Sequence, residues 1–207
     1  MLHVKTIHQD TFALLKELTA TNALDSFALA GGTALALQLG HRISIDLDFF
    51  TTNEFDSFAL FEMLAETFEL ENSSTGVNSL TLVINRQSIS IKTDFIRHNY
   101  LQLKPFIISE GIRFFSLDDI AAMKLNAIAN RGAKKDFYDI HALLGRFSLL
   151  ELLGFFEAKY RKMNSFAVIK SLAFFDDADM EPDPISLTDL AWEQIKADLK
   201  LKIREAL

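Results

Sequence analysis

Apolar positions along the chain follow two rhythms. Residues 8–20, HQDTFALLKELTA, place Phe12, Leu15 and Leu18 at helical spacing. A short apolar run, SFALA (26–30), leads into Gly31-Gly32 and reads as a buried strand. ALALQLG (34–40) then predicts a short helix closed by Gly40, a residue suited to the left-handed position after a helix. From Ile43 the period falls to two: Ile43, Ile45, Leu47 and Phe49 alternate with Ser44, Asp46, Asp48 and Phe50. That alternation predicts a strand whose isoleucine–leucine–phenylalanine face is fit for a core. Residues 54–68 return to helical spacing through Phe58, Phe61, Leu64 and Phe68. Two period-two runs follow, VNSLTLVI (77–84) and QSISIKTDFI (87–96), and the short Asn85-Arg86 link between them predicts a hairpin. GIRFF (111–115) predicts one more strand.

After Ser116 the helical period takes over. SLDD (116–119) has the form of a capping box, with Ser116 as N-cap and Asp119 three residues on. Helices are expected near 117–131, 134–145, 148–160, 164–175 and 188–205, with the acidic, proline-containing DDADMEPDP (176–184) as a loop. The reading is an α+β protein: a mixed β-sheet with helices over 1–115, then a helical bundle over 116–207.

Composition narrows the classes. The 207 residues are 49% hydrophobic with 19 Phe, ample core material, and 24% charged, which argues against disorder. There is no run of eighteen apolar residues, so no membrane span is expected, and MLHVKTIHQD lacks the order of a signal peptide. A cytoplasmic protein is the expectation. Cysteine is absent, which excludes disulfides, cysteine-ligated zinc and thiol catalysis. The net charge of −7 means that any nucleic-acid substrate is gripped by a local basic patch and not by the protein's field as a whole.

The candidate chemistry lies in GGTALALQLGHRISIDLDFF (31–50). In a strand, residues two apart share a face, so Asp46 and Asp48 point the same way, with Ser44 and Arg42. Two like charges a few ångströms apart repel by roughly 4 kcal/mol at an effective dielectric of 20. Solvation, a shared proton or a bound cation relieves this, and carboxylate oxygens suit Mg²⁺. In SISIKTDF, Asp94 shares parity with Ser88, Ser90 and Lys92. If that strand lies beside the first, Asp94 joins the pair. Three carboxylates holding two Mg²⁺ ions, with Mn²⁺ able to replace them, is an arrangement for in-line phosphoryl or nucleotidyl transfer. A strand–Gly–Gly–helix junction lets backbone N–H groups approach a phosphate, and Thr33 adds a hydroxyl there.

These residues resemble the signature of the DNA polymerase beta-type nucleotidyltransferase superfamily: a glycine turn, an Asp-x-Asp strand and a third acid on a neighbouring strand. The wording is closest to the AbiEii/AbiGii abortive-infection toxin group. DDIAAMKLNAIANRGAKKDFYDIHALL (118–144) is similar to that group's downstream Lys…Arg…Lys-Asp-x-x-Asp region. The resemblance implies a nucleotidyltransferase-like sheet in which Gly31, Gly32 and Thr33 hold a nucleoside triphosphate. Asp46 and Asp48 would bind both metals, and Asp94 would serve as general base or metal ligand. It also implies transfer of a nucleotide to an acceptor hydroxyl with release of pyrophosphate, tRNA as an acceptor, and a toxin–antitoxin or phage-defence setting with a cognate antitoxin protein.

The second block keeps two readings. Lys124, Arg131, Lys134 and Lys135 could approach the triphosphate or an RNA acceptor, with Asp136 and Asp139 orienting them, or they could be a solvated charged face. Arg42 could reach a phosphate or pair with the carboxylates structurally; Arg42 and Ser44 are counted here with the nucleotide-binding residues. His98 and His141 have no ligand partner at metal spacing and read as structural or surface residues. Phe155, Phe156, Phe174 and Phe175 read as core. Lys196, Lys200 and Arg204 form a basic stripe on a terminal amphipathic helix, suited to packing and able to help grip RNA. Two rival functions stand beside nucleotidyl transfer to RNA: an aminoglycoside-type small-molecule nucleotidyltransferase, suited to an acidic protein, and a nucleotide-binding regulatory module without turnover. A third acid weighs against the last.

Overall fold

A computed structural model describes residues 1–206. The elements, in chain order, are α1 (Gln9–Thr19), β1 (Ala28–Ala30), α2 (Gly31–Leu39), β2 (Leu47–Thr51), α3 (Ser57–Ala65), β3 (Leu70–Gly76), β4 (Ser79–Arg86), β5 (Ile89–Arg97), β6 (Ile107–Ser109) and β7 (Ile112–Phe114). Helices α4 (Leu117–Asn130), α5 (Lys134–Leu144), α6 (Leu149–Lys159), α7 (Ser165–Leu172), α8 (Asp176–Asp179) and α9 (Trp192–Ala206) complete the chain. Contacts gather these into two units. One contains residues 1–38, 44–100 and 106–115; the other contains 39–43, 101–105 and the described residues from 116 on.

The first unit is built on one seven-stranded mixed sheet, ordered β3-β4-β5-β2-β1-β7-β6. The β2–β5 and β1–β7 pairs are parallel; the others are antiparallel. The apolar face carries Leu47, Phe49, Leu80, Leu82, Ile91 and Phe95, all buried. Phe49 stacks on Phe95 at 5.4 Å, and Phe27 meets the edge of Phe95 at 5.7 Å.

Several boundaries differ from the sequence reading, each for a physical reason. The strand expected from Ile43 starts only at Leu47, and Ile45 is 69% exposed. Ahead of it the Ser44 N–H donates to the Thr6 carbonyl instead of a neighbouring strand. The β4–β5 turn is at Gln87-Ser88, not Asn85-Arg86, because Asn85 and Arg86 are still paired with Ser90 and Ile89. β3 was not expected, since Leu70–Gly76 is polar and lies exposed at the sheet edge, so burial imposes no alternation on it. β6 went unseen as a three-residue edge strand. On α3 the buried residues are Ser57, Leu60 and Leu64, while Phe58 faces out.

The second unit is helical. Its core joins Ile120, Leu125 and Ile128 of α4, Phe137, Ile140 and Leu143 of α5, Leu152 and Phe156 of α6, Val168 and Leu172 of α7, and Trp192, Ile195 and Leu199 of α9. Phe156 and Phe175 are core as expected, but Phe174 is exposed. Ser116 caps α4 by accepting from the Asp119 N–H at 3.1 Å. The Asp119 carboxylate does not complete a capping box. It is fully buried, accepts from the Leu103 and Lys104 N–H groups, and pairs with Lys159 at 2.7 Å. The complete capping box is at Ser148–Glu151 on α6. The expected loop at 176–184 holds the one-turn α8, and Lys196 of the basic stripe is tied to Asp179 and Glu193. No helix among the described residues is long and apolar enough to cross a membrane.

Candidate active site

The register of the sheet settles where the acids lie. β2 and β5 run parallel with Asp48 directly opposite Asp94, so the two carboxylates leave the same face of neighbouring strands about 4.8 Å apart. Across the other edge of β2, Asp48 is opposite Ala30, the last residue of β1. The chain turns there at Gly31, with φ +65°, and enters α2. A Cβ at Gly31 would collide with the Asp48 carboxylate. Glycine is therefore required twice at this position, by the left-handed backbone and by the space that the acid fills.

Thr33 and Ser44 act between these pieces. Thr33 is fully buried; its hydroxyl donates to the Asp46 carbonyl and lies 2.8 Å from the Ser44 hydroxyl. The Thr33 side chain thus anchors the Asp46 backbone, with the Ser44 hydroxyl as its second acceptor. Gly32 is buried in the first turn of α2. Asp46 sits just before β2 and, like Asp48, is partly exposed.

Asp94 is buried and held from two sides. Thr81 of β4, its register partner, donates to Oδ1 at 2.6 Å, and Lys92 forms an ion pair with Oδ2. Burial works against the Lys92 charge, but the hydrogen bond to Asp94 and the carboxylates of Asp94, Asp46 and Asp48 outweigh it and hold its ammonium above the ordinary lysine range. One cation thus lies in the field of all three acids. The sequence reading missed both holders. Lys92 was visible as a residue of the same parity, but Thr81 emerges only from the β4–β5 register. No three His, Asp or Glu side chains among the described residues form a ready-made metal cage. The donor set fits Mg²⁺ all the same, because that ion takes one or two carboxylates and completes its shell with substrate phosphates and water.

The second block is placed differently. Lys124 is buried between two carboxylates, 2.9 Å from Asp136 Oδ1 and 2.6 Å from Asp139 Oδ2. Arg42 grips Asp139 through Nε at 2.7 Å and Nη2 at 2.9 Å, and His41 Nε2 lies 2.7 Å from the same carboxylate. Arg131 grips Asp136 with two hydrogen bonds of 2.8 and 3.1 Å. Lys134 pairs with Asp183 at 2.9 Å and lies over the Trp192 ring. The solvated-face reading is therefore corrected for Lys124, Lys134, Asp136 and Asp139, all buried; Arg131 and Lys135 remain exposed, and Arg42, expected at a phosphate or at the strand carboxylates, is paired with Asp139. Burial opposes ionisation of Asp139, but Lys124 and Arg42 overcome it and hold the carboxyl far below its usual range; burial likewise opposes ionisation of Asp136, and Lys124 and Arg131 hold that carboxyl below its ordinary value. Lys124, despite burial, is held above the lysine range by Asp139 and Asp136.

The fold is that of solved nucleotidyltransferase structures. A Helicobacter pylori protein superposes with a TM-score of 0.65 at 17% identity, covering 96% of this chain and 95% of its own. MenT4, a nucleotidyltransferase toxin from Mycobacterium tuberculosis, gives 0.60 at 16% identity over 96% and 86%. An uncharacterized protein of Aquifex aeolicus is 33% identical over 205 residues, 93% of this chain and 94% of the relative. The sequence profile of the nucleotidyl transferase AbiEii toxin family, of type IV toxin–antitoxin systems, matches residues 13–205. The chain belongs to that family.

Proposed function

We propose that the protein moves a nucleotide from an NTP to an acceptor hydroxyl at the face formed by Gly31, Asp46, Asp48 and Asp94. The observation that carries this is the register: Asp48 lies opposite Asp94 and against Gly31. The backbone N–H groups of Gly32 and Thr33, at the start of α2, receive the triphosphate. Asp46 and Asp48 hold Mg²⁺, with Asp94 as a further ligand or as base. When bound, the ions neutralise the charge of the transferring phosphate and lower the pKa of the acceptor hydroxyl.

The acceptor oxygen attacks the α-phosphorus. The bond to the bridging oxygen of the β-phosphate breaks, and pyrophosphate leaves with that electron pair. The acceptor proton passes to Asp94, whose carboxylate is already oriented by Thr81 and Lys92. The family supports the toxin of a toxin–antitoxin pair with a cognate antitoxin protein; phage defence as the setting and the 3′ end of tRNA as acceptor are the further parts of the proposal.

The test incubates the protein with each labelled NTP and Mg²⁺, in one arm with total tRNA and in another with an aminoglycoside. Labelled RNA, lost on Asp48→Ala, is the expected result. Label on an aminoglycoside alone moves the acceptor to small molecules. Activity retained by a folded Asp48→Ala protein refutes the assignment.

A further inference from the structure

The sheet ends at β3, and the chain leaves that end bare. Glu71 to Gly76 are exposed on both faces of the strand, and no strand of the described residues lies beyond them. The ladder gives the direction of their backbone groups. On β4 the Asn85 N–H donates toward β3, to the Glu69 carbonyl, while the Asn78 carbonyl accepts from Arg97 on the β5 side. Backbone groups alternate along a strand, so Thr81 and Val83 face β3, and their partners Ser74 and Asn72 face back. Ser73 and Thr75 therefore turn their N–H and C=O groups outward. The Ser73 N–H agrees: it donates to the Asn72 side-chain oxygen at 2.7 Å and not to β4. Strand edges are commonly guarded by lysine, proline or a bulge. β3 is irregular only at its start, between Leu70 and Asn72, and pairs in unbroken register from there to Gly76. It contains neither lysine nor proline.

Beside this edge lies a groove of about 440 Å³, lined by Phe55 and Phe58 from the start of α3 and by Thr75, Gly76 and Val77 from the end of β3. Phe58 is 61% exposed and Val77 93%. Charge decides the occupant. From Glu54 to Leu80 the chain carries six carboxylates, Glu54, Asp56, Glu62, Glu66, Glu69 and Glu71, and no lysine or arginine. A second copy pairing edge to edge sets these acids against their own kind, whereas a cationic strand is drawn to them. We propose that the outer edge of β3 and its groove dock a basic strand of a partner protein. That strand extends the sheet by bonding Ser73 and Thr75, lays an apolar side chain against Phe58 and Val77, and sets lysine or arginine near Glu62 and Glu71. Ser74, Thr81 and Asp94 stand in one row across the sheet. The edge is therefore two strand spacings, about 10 Å, from Asp94. Docking leaves the acid-bearing face open, and the inference does not rest on the transfer reaction.

The probe is a short peptide alternating lysine with valine, added to the nitrogen-15-labelled protein and followed by amide NMR, which also reports that each variant is folded. The amide signals of Ser73, Thr75 and Val77 should move, and those of Asp46, Asp48 and Asp94 should not. A glutamate–valine peptide should bind roughly fivefold more weakly, as two exposed charge pairs require. Glu62→Lys with Glu71→Lys, both on exposed positions, should remove that preference. The lysine peptide methylated at its backbone nitrogens keeps its charges and loses its donors to the edge, so it should no longer shift Ser73 and Thr75. Equal binding of the glutamate peptide or of the methylated peptide overturns the inference. So does a set of shifts confined to the three aspartates, or no shift at Ser73 and Thr75. Concentration-dependent dimerisation in sedimentation, abolished by Thr75→Pro, also overturns it, because the occupant is then a second copy.

Discussion

Asp139→Asn is the sharpest probe of the helical unit. Asp139 is fully buried and receives Arg42 through two hydrogen bonds, His41 through one, and the Lys124 ammonium at 2.6 Å. The buried charges balance: Arg42 and Lys124 against Asp136 and Asp139. Asparagine keeps the shape but removes one charge and turns one of two acceptor oxygens into a donor facing other donors. Removing one member of such a buried set costs about 3–5 kcal/mol, mostly from the cation left uncompensated. The chain has one tryptophan, Trp192, buried beside α5 with its ring stacked on Tyr138 at 5.9 Å. Its fluorescence during urea unfolding therefore reports this unit. Arg131→Ala is the comparison: its side chain is 56% exposed, so its pair with Asp136 is partly screened and its loss costs less than that of Asp139→Asn. An Asp139→Asn stability within about 1 kcal/mol of wild type would refute the account of this network as a balanced, dry set of charges.

The remaining predictions use the same logic. Asp136 and Asp139 have folded pKa values below the unfolded value of about 3.9, so their contribution is full above that pH and drains away as pH falls below it. Acid titration of Trp192 fluorescence should show this loss in wild type and a shallower slope in Asp139→Asn; equal slopes would count against it. Gly31→Ala adds left-handed strain of about 1–2 kcal/mol and a collision with Asp48, whereas Gly111→Ala, at φ +82° with open space around it, adds the strain alone. Urea unfolding should show both losses, with transfer activity falling only for Gly31→Ala; equal activities would refute the Gly31–Asp48 coupling. Lys92→Met removes a cation that competes with a metal for the acids, so Mn²⁺ measured by calorimetry without nucleotide should bind roughly tenfold tighter. Unchanged or weaker binding would show that Lys92 does not oppose the metal.

Much of this fold was legible because burial leaves a period behind. β4 and β5 alternate visibly, and α4 to α6 announce themselves through the Ser116 cap and the apolar spacing that follows. β3 left no such mark, because an exposed edge strand has no face to bury. In the candidate site, parity was enough to put Asp48 and Asp94 on matching faces, while Asp46, which parity placed with them, lies ahead of the strand. Parity could not give register, and register is what sets Asp48 beside Asp94 and brings in Thr81. The charges of the second block were the least legible. A sequence shows that Lys124 and Asp139 are charged, but only packing shows that both are covered, and coverage turns a solvated face into a network whose members answer to one another.

The glycine turn and the acidic strand are one device seen from two ends. The side chain that Gly31 lacks would occupy the seat of the Asp48 carboxylate, so the turn and the acid define each other's position. Two residues on, the Thr33 hydroxyl holds the Asp46 carbonyl, which ties the second acid to the same helix start. The third acid is fixed independently, from the far side, by Thr81 on one strand and Lys92 on its own. The Asp48 and Asp94 carboxylates and the Asp46 backbone are thus each placed by a residue on another element. Placement of that kind matters for phosphoryl chemistry, where orienting charge before the reaction accounts for most of the rate. It follows that substitutions at Gly31, Thr33 and Thr81 should reduce transfer while leaving every carboxylate in the sequence.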